Sequence, residues 1–164
     1  MNQNSQRNTF RRCIPEIHVV LHNVRSVHNV GSLFRTADAA GVVCVYLVGY
    51  TPAPYDRFGR TRTAMQKTAL GATDSVPWRQ AASITAVYEA FTAQGIVIHA
   101  VEQAAGAIRY DEALVPAKVA YVFGNEREGL DADARACADR TLYIPQYGAK
   151  ESLNVTVAAG VVLF

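Results

Sequence analysis

Residues 144–164 limit the fold of this chain more than any other stretch. The segment starts as the end of a strand, passes through a short loop holding Gly148, and continues as a helix. Glu151, Ser152 and Asn154 stand near the expected first turn, where free backbone N–H groups need acceptors. Behind them Val155, Val157, Ala158, Ala159, Val161, Val162, Leu163 and Phe164 are apolar on nearly every face. Such a helix is expected to be buried on all sides. A small domain cannot wrap a terminal helix completely, so a second copy of the chain is expected to cover part of it. Ser152 and Asn154 admit two readings. They are helix caps, or they are the hydroxyl-and-amide rim of a binding site floored by backbone.

Upstream, strand-like and helix-like runs alternate. Residues 17–22, 42–48, 96–101, 119–123 and 140–144 read as strands, most of them nearly continuous in apolar character, as in a sheet covered on both faces. A helix over 29–40 puts Leu33, Phe34, Ala37 and Ala40 on one face and stops at Gly41. A second, over 81–94, repeats Ile84, Val87, Tyr88 and Phe91 in helical rhythm, and a short third covers 131–138. A short edge strand is expected at 76–78. The alternation predicts an α/β fold, a mostly parallel sheet with helices on both faces. In such sheets ligands bind beyond the carboxyl ends of strands. The loops at 23–31, 124–130 and 145–152 all follow strands and can share one rim. His99 alternates with apolar neighbours and reads as a structural histidine whose hydrogen bonds are satisfied.

The length of 164 residues suits one domain. Residues 1–15, with Arg7, Arg11 and Arg12, read as a basic flexible arm ahead of a domain over 16–164, a solvated tail more than a phosphate contact. A net charge of +2 does not by itself argue for nucleic acid. Its distribution does more. The loop at 49–63 leads into Arg57, Arg60, Arg62 and Lys67 with no acid between Arg57 and Lys67, and Tyr55 and Phe58 are interleaved. Cations for phosphate and aromatics for unpaired bases suit RNA, against the alternative of a solvated surface loop. The three cysteines form no CxxC pair, so neither a zinc site nor a disulfide framework is expected, and no metal is implied. No GxGxxG links a strand to a helix, which argues against an ordinary dinucleotide-binding protein. No apolar run reaches membrane-spanning length, and a reduced, cytoplasmic setting is expected.

Three segments in order resemble the SpoU/TrmH family of RNA 2′-O-methyltransferases, part of the knotted SPOUT class. They are Asn29-Val30-Gly31-Ser32-Leu33-Phe34-Arg35-Thr36-Ala37, Phe123-Gly124-Asn125-Glu126-Arg127-Glu128-Gly129-Leu130, and Ile144-Pro145 through Ser152-Leu153-Asn154-Val155-Thr156-Val157-Ala158-Ala159. Each alone is a weak signal; three in order over nearly the whole chain are a strong one. The resemblance implies S-adenosyl-L-methionine as methyl donor, tRNA or rRNA as substrate, a homodimer, and a deep C-terminal trefoil knot. Patterning alone could not have suggested the knot, which usual topology excludes. Position by position, the resemblance implies cofactor contacts at Gly124, Ile144 and Leu153, and a catalytic rim of Asn29, Arg35, Glu126, Ser152 and Asn154.

The chemistry agrees. Methyl transfer from a sulfonium to a ribose hydroxyl is an in-line displacement that needs alignment and removal of a proton. A guanidinium keeps its proton at neutral pH, so Arg35 is expected to act as an electrostatic clamp on phosphate or developing alkoxide and not as the base. Asn29 would orient the ribose hydroxyl, Glu126 would hold Arg35 or Asn29, and Ser152 and Asn154 would fix the loop and the cofactor. From these residues alone, Asn29 could equally be an N-cap and Arg35 a partner for Asp38. Two other functions stay open: a base-nitrogen methyltransferase of the same fold, and a non-catalytic RNA-binding protein.

Overall fold

A computed structural model describes residues 15–164. The expected arm therefore lies, but for Pro15, outside the described residues. The sheet is built around β1 (Glu16–His22), whose backbone pairs with β2 (Cys44–Val48) on one side and β6 (Lys118–Phe123) on the other. Beyond β2 lies β3 (Trp78–Ala81); beyond β6 lie β4 (Val97–Val101), β7 (Arg140–Tyr143) and the two-residue β5 (Ile108–Arg109). The order is β3-β2-β1-β6-β4-β7-β5, and every neighbouring pair is parallel. Parallel pairing of the central strands, with both faces covered, is why their sequences are apolar without alternation.

Side chains of period two divide β1 between two cores. Val19 and Leu21 enter a core with Leu33 and Phe34 of α1 (Val27–Ala40), Met65 of α2 (Thr63–Ala69), and Ala159 of α6 (Val155–Leu163). Val20 enters the opposite core, with Ile84, Val87 and Phe91 of α4 (Ile84–Ala93) and Ala134 of α5 (Ala132–Ala136). Helices thus cover both faces, as expected. Leu33, Phe34 and Phe91 are fully buried, each contributing roughly 1.5–3 kcal/mol of transfer free energy. Gly31 lets α1 lie directly on α2. A Cβ there would run into the Thr68 hydroxyl and come within 2.7 Å of the Met65 carbonyl oxygen.

Several boundaries differ from the sequence reading, each for a local reason. Helix α1 begins at Val27 because Ser26 is its N-cap and accepts from the Asn29 N–H, so Asn29 lies inside the first turn and does not cap. Asp38 does not pair with Arg35; it accepts from the Ser75 hydroxyl at 2.6 Å, on the single-turn α3 (Ala72–Ser75). The edge strand falls at Trp78–Ala81, after Pro77 rather than across it, and α4 starts three residues later than its periodicity suggested. Lys67, read as the end of a basic loop, is on α2. His99 is buried as expected but not fully satisfied: its Nδ1 has no hydrogen-bond partner among the described residues. The last helix is covered by its own chain on one side only. Only Val155, Ala159 and Leu163 are buried, while Val157 is 51% and Phe164 81% exposed.

A candidate active site at the ends of the central strands

The strand order reverses its direction of growth at the β1–β6 boundary, and the loops leaving both strands meet there. In open parallel sheets that crevice is where ligands bind. β6 ends in Phe123, and the chain then makes a tight turn in which Asn125 and Gly129 exchange backbone hydrogen bonds at 3.0 Å each way. Gly129 holds φ +68°, and a Cβ on Gly124 would come within 2.5 Å of the Gly129 carbonyl oxygen and the Leu130 nitrogen. Neither position accepts a side chain without opening the turn. Asn125 Oδ1 accepts from the N–H groups of Arg127 and Glu128, and its amide donates to the Asn23 carbonyl and to the Tyr50 hydroxyl.

This turn projects Glu126 across to the first loop. One carboxylate oxygen accepts from the Arg25 N–H at 3.0 Å; the other accepts from the Ser26 N–H at 3.0 Å and the Asn29 side-chain amide at 2.9 Å. Burial alone would raise the Glu126 pKa, but these bonds together outweigh it and hold the carboxyl below its usual range. Of the two roles expected for Glu126, holding Arg35 or holding Asn29, the geometry realises the second. Asn29 in turn accepts from the Asn154 amide at 3.3 Å. Asn154 is the N-cap of α6, accepting from the Thr156 N–H at 2.9 Å. The capping reading of Asn154 therefore holds, and its amide in addition reaches Asn29 on the first helix.

Three residues from three separated segments, Asn29, Glu126 and Asn154, are therefore joined in one chain of bonds. Around it lies an open cavity of about 470 Å³ lined by Arg25, Ser26, Asn29, Glu126 and Arg127. Behind the turn is a second cavity of about 140 Å³, in which Gly124 and Glu126 face Ser152 and Leu153 over a floor that includes Val155. A third, about 90 Å³, adds Ile144, Gln103 and Gln146 and shares Ser152 and Leu153 with the second. The residues expected to hold a cofactor, Gly124, Ile144 and Leu153, thus line two adjoining cavities. Ser152 belongs to that wall and forms no side-chain hydrogen bond among the described residues.

Arg35 is not joined to this network. It is exposed, lines none of these cavities, and makes no hydrogen bond or ion pair among the described residues. The four cations of the basic stretch also separate. Arg60 is engaged with Asp56, at 2.8 Å from both Nε and Nη2. Arg57 lies over the Phe58 ring at 4.7 Å. Arg62 has a buried Nε without a partner among the described residues, and Lys67 is exposed on α2.

Sequence reasoning missed Glu102 and Gln103. Glu102 follows β4, lines the second and third cavities, and accepts from the Leu130 N–H at 2.7 Å. Gln103 donates to the Ile144 carbonyl at 2.5 Å. Their place directly after a central parallel strand was the available signal. Among the described residues no group of His, Cys, Asp and Glu is arranged to hold a metal, and no helix is long and apolar enough to cross a membrane.

Comparison with known proteins adds to this geometry. The sequence profile of the SpoU rRNA Methylase family matches residues 16–164. The chain is similar to the 23S rRNA (guanosine-2'-O-)-methyltransferase RlmB of Neisseria meningitidis, 32% identical over 91% of this chain and 57% of that protein. To the same enzyme of Ralstonia nicotianae it is 34% identical over 92% of this chain and 57% of the relative. The chain thus spans a little over half the length of these curated relatives. Among solved structures, the AdoMet-bound rRNA methyltransferase of Sinorhizobium meliloti superposes with TM-score 0.78 at 30% identity, over 91% of this chain and 54% of that one. A structure described as giving insight into 2-OH methylation of C/U34 on tRNA superposes with TM-score 0.77 at 29% identity, over 91% of this chain and 92% of that one.

Proposed function

Because the chain belongs to the SpoU rRNA methylase family, we propose that it transfers a methyl group from S-adenosylmethionine to a ribose 2′-hydroxyl of RNA. The observation that carries this is the bonded row Glu126–Asn29–Asn154 standing beside the cavities of Gly124, Ile144 and Leu153. The residues present fit the donor. The apolar floor at Val101, Phe123 and Val155 suits an adenosyl group, and the Glu102 carboxylate is a complementary charge for a cation. When bound, the donor supplies a methyl group made electrophilic by its sulfonium.

The chain's own residues do the rest. Gly124, Ile144, Leu153 and Ser152 hold the donor against the turn. Asn29, fixed at one end by Glu126 and at the other by Asn154, orients the attacking ribose oxygen. The new bond is carbon to oxygen, the broken one carbon to sulfur, and the hydroxyl proton leaves to solvent or to an RNA phosphate. Arg35, free of internal partners among the described residues, stabilises negative charge on the alkoxide or the adjoining phosphate. Arg57, Arg60, Arg62 and Lys67 lie along the path of the RNA backbone, with Arg60 the weakest contributor because Asp56 already neutralises it.

Ribosomal RNA is the first substrate class, supported by the curated relatives. Transfer RNA is the second, supported by the similarity in length and fold to the structure concerned with C/U34. Two further elements belong to the same proposal. One is the trefoil threading of the C-terminal segment, supported by its passage from β7 to pack α6 on α1. The other is a homodimer through α6, supported by the exposed Val157 and Phe164.

Incubation with methyl-labelled donor and separate ribosomal and transfer RNA fractions, followed by nucleoside digestion, tests the reading. Label in 2′-O-methylnucleosides is expected. Label on base nitrogens would replace it with the base-methylating alternative, and no affinity for the donor would leave a non-catalytic RNA binder.

A further inference from the structure

The stretch that carries Arg57 and Arg62 also walls a cavity of its own. Between the C-terminal end of β2 and the loop at 49–62 lies a cavity of about 370 Å³, walled by Tyr50, Tyr55, Arg57, Arg62 and Gln80. Its size falls within the range of small-molecule pockets. Its root is rigid: the buried Thr51 hydroxyl donates to the Leu21 and Val48 carbonyls and accepts from the Val24 N–H. One of its walls is bonded to the turn of the candidate site. The Tyr50 hydroxyl accepts from the Asn125 amide at 2.8 Å, one residue before Glu126. Two aromatic rings stand open to solvent, Tyr50 at 57% and Tyr55 at 43%. Arg62 brings a donor, Nε, that is buried and without a partner among the described residues. The one carboxylate in the lining, Asp56, is occupied: it accepts from the Phe58 N–H, the Arg60 N–H and the Arg60 side chain. Gln80, on the edge strand β3, offers both a donor and an acceptor.

The geometry points to this cavity as the seat of one unpaired nucleotide of the substrate RNA, next to the nucleotide that is methylated. The assignment rests on the RNA-methyltransferase reading and deepens it. The base stacks on Tyr55 or Tyr50, its edge meets Gln80, and its phosphate lies against Arg57 and Arg62. Stacking on an aromatic face with a cation at the phosphate is how proteins hold unpaired bases, while a duplex cannot present its bases this way. The hydrogen bond from Asn125 to Tyr50 ties the seat to the turn that carries Glu126. Occupation therefore positions the neighbouring ribose at Asn29.

Trp78 makes this testable without knowing the natural RNA. It is the single tryptophan of the chain, and its ring lies 6.3 Å from that of Tyr55. The full chain, with donor affinity measured by calorimetry, is titrated with a single-stranded 12-nucleotide RNA, a duplex of the same length, and a nucleoside monophosphate. The single strand is expected to change Trp78 emission. Tyr55→Leu should weaken single-strand binding about tenfold, and Arg62→Gln should lower the salt slope by about 0.7. Arg62 stands at the N-terminus of α2, so the exposed Arg57→Gln repeats the slope test should the first variant fail to fold. Donor affinity should not change in any variant. Single-strand binding with unchanged affinity and slope in these variants, or preference for the duplex, overturns the seat and leaves the methyltransferase standing. Saturation by the monophosphate without binding of the 12-mer overturns the RNA assignment. Loss of both RNA and donor binding in the unmodified chain overturns the two readings together.

Discussion

The candidate catalytic residues fall into two halves that the fold treats differently. Asn29, Glu126 and Asn154 are bonded to one another and to the backbone around them. Arg35 and Ser152 make no side-chain hydrogen bond among the described residues and are exposed. Groups whose bonds are internal set geometry; groups whose bonds are free are available to reactants. In this reading the first half is the frame, which through Asn29 also sets the direction of the ribose oxygen, and the second half supplies the unengaged groups for substrate and donor.

The largest effect is expected from the free half. Arg35→Ala should lower turnover by about a hundredfold or more, with donor affinity nearly unchanged. Single-turnover assays beside calorimetry check it, and activity near the original rate would erase the distinction drawn here. In the bonded half, Glu126→Ala removes the acceptor of two backbone N–H groups and one amide. The loss should be about 2 kcal/mol of stability, read by urea unfolding, with a smaller fall in turnover than Arg35→Ala. A loss below about 0.5 kcal/mol would mean that the loop at 25–26 stays in place without its carboxylate. Neutralising Arg57 and Lys67 together should reduce the salt slope of RNA binding by about 1.4. An unchanged slope returns that stretch to plain surface.

The smallest effect sharpens the comparison from beneath the site. His22, at the end of β1, and His99 are buried, and burial lowers both pKa values from 6.5; Asp131 opposes the shift at His22, while at His99 Arg140 adds to it and Asp139 opposes it. The unfolded chain takes up these protons as pH falls past about 6.5, whereas the folded chain resists them. Stability is then complete above that value and declines below it. Melting temperatures between about pH 7 and about pH 5 should fall, and His99→Leu should flatten the decline. An identical decline in that variant would move the cause elsewhere.

The sequence carried the fold where physics is local. Runs such as 17–22 and 119–123 are apolar because both faces of β1 and β6 are covered, so they announce themselves. Helix α2 did not, because its sequence, Thr63-Ala-Met-Gln-Lys-Thr-Ala69, buries only Met65 and Ala69 and lacks a side-chain cap. Two-residue β5 is too short for any periodicity. For α6, apolar residues on all faces did not say which faces a single chain covers; Val155, Ala159 and Leu163 are the ones its own core buries. In the site, the residue types were legible and their pairing was not. Glu126 meets Arg25 and Ser26 across about a hundred positions of sequence, and nothing local favours Asn29 over Arg35 as its partner. Tyr50, Glu102 and Gln103 went unnoticed because each joins the site through a distant segment: Tyr50 and Glu102 through the turn after β6, Gln103 through the Ile144 carbonyl after β7.

The central place of β1 carries a consequence for synthesis. The neighbour of β1 on one side, β6, and the partners of Asn29 are translated about a hundred residues after β1 and Asn29 themselves. Pairings of such long range are slow to form, and the bonded row of Glu126, Asn29 and Asn154 cannot close until Asn154, beyond the last strand, has emerged.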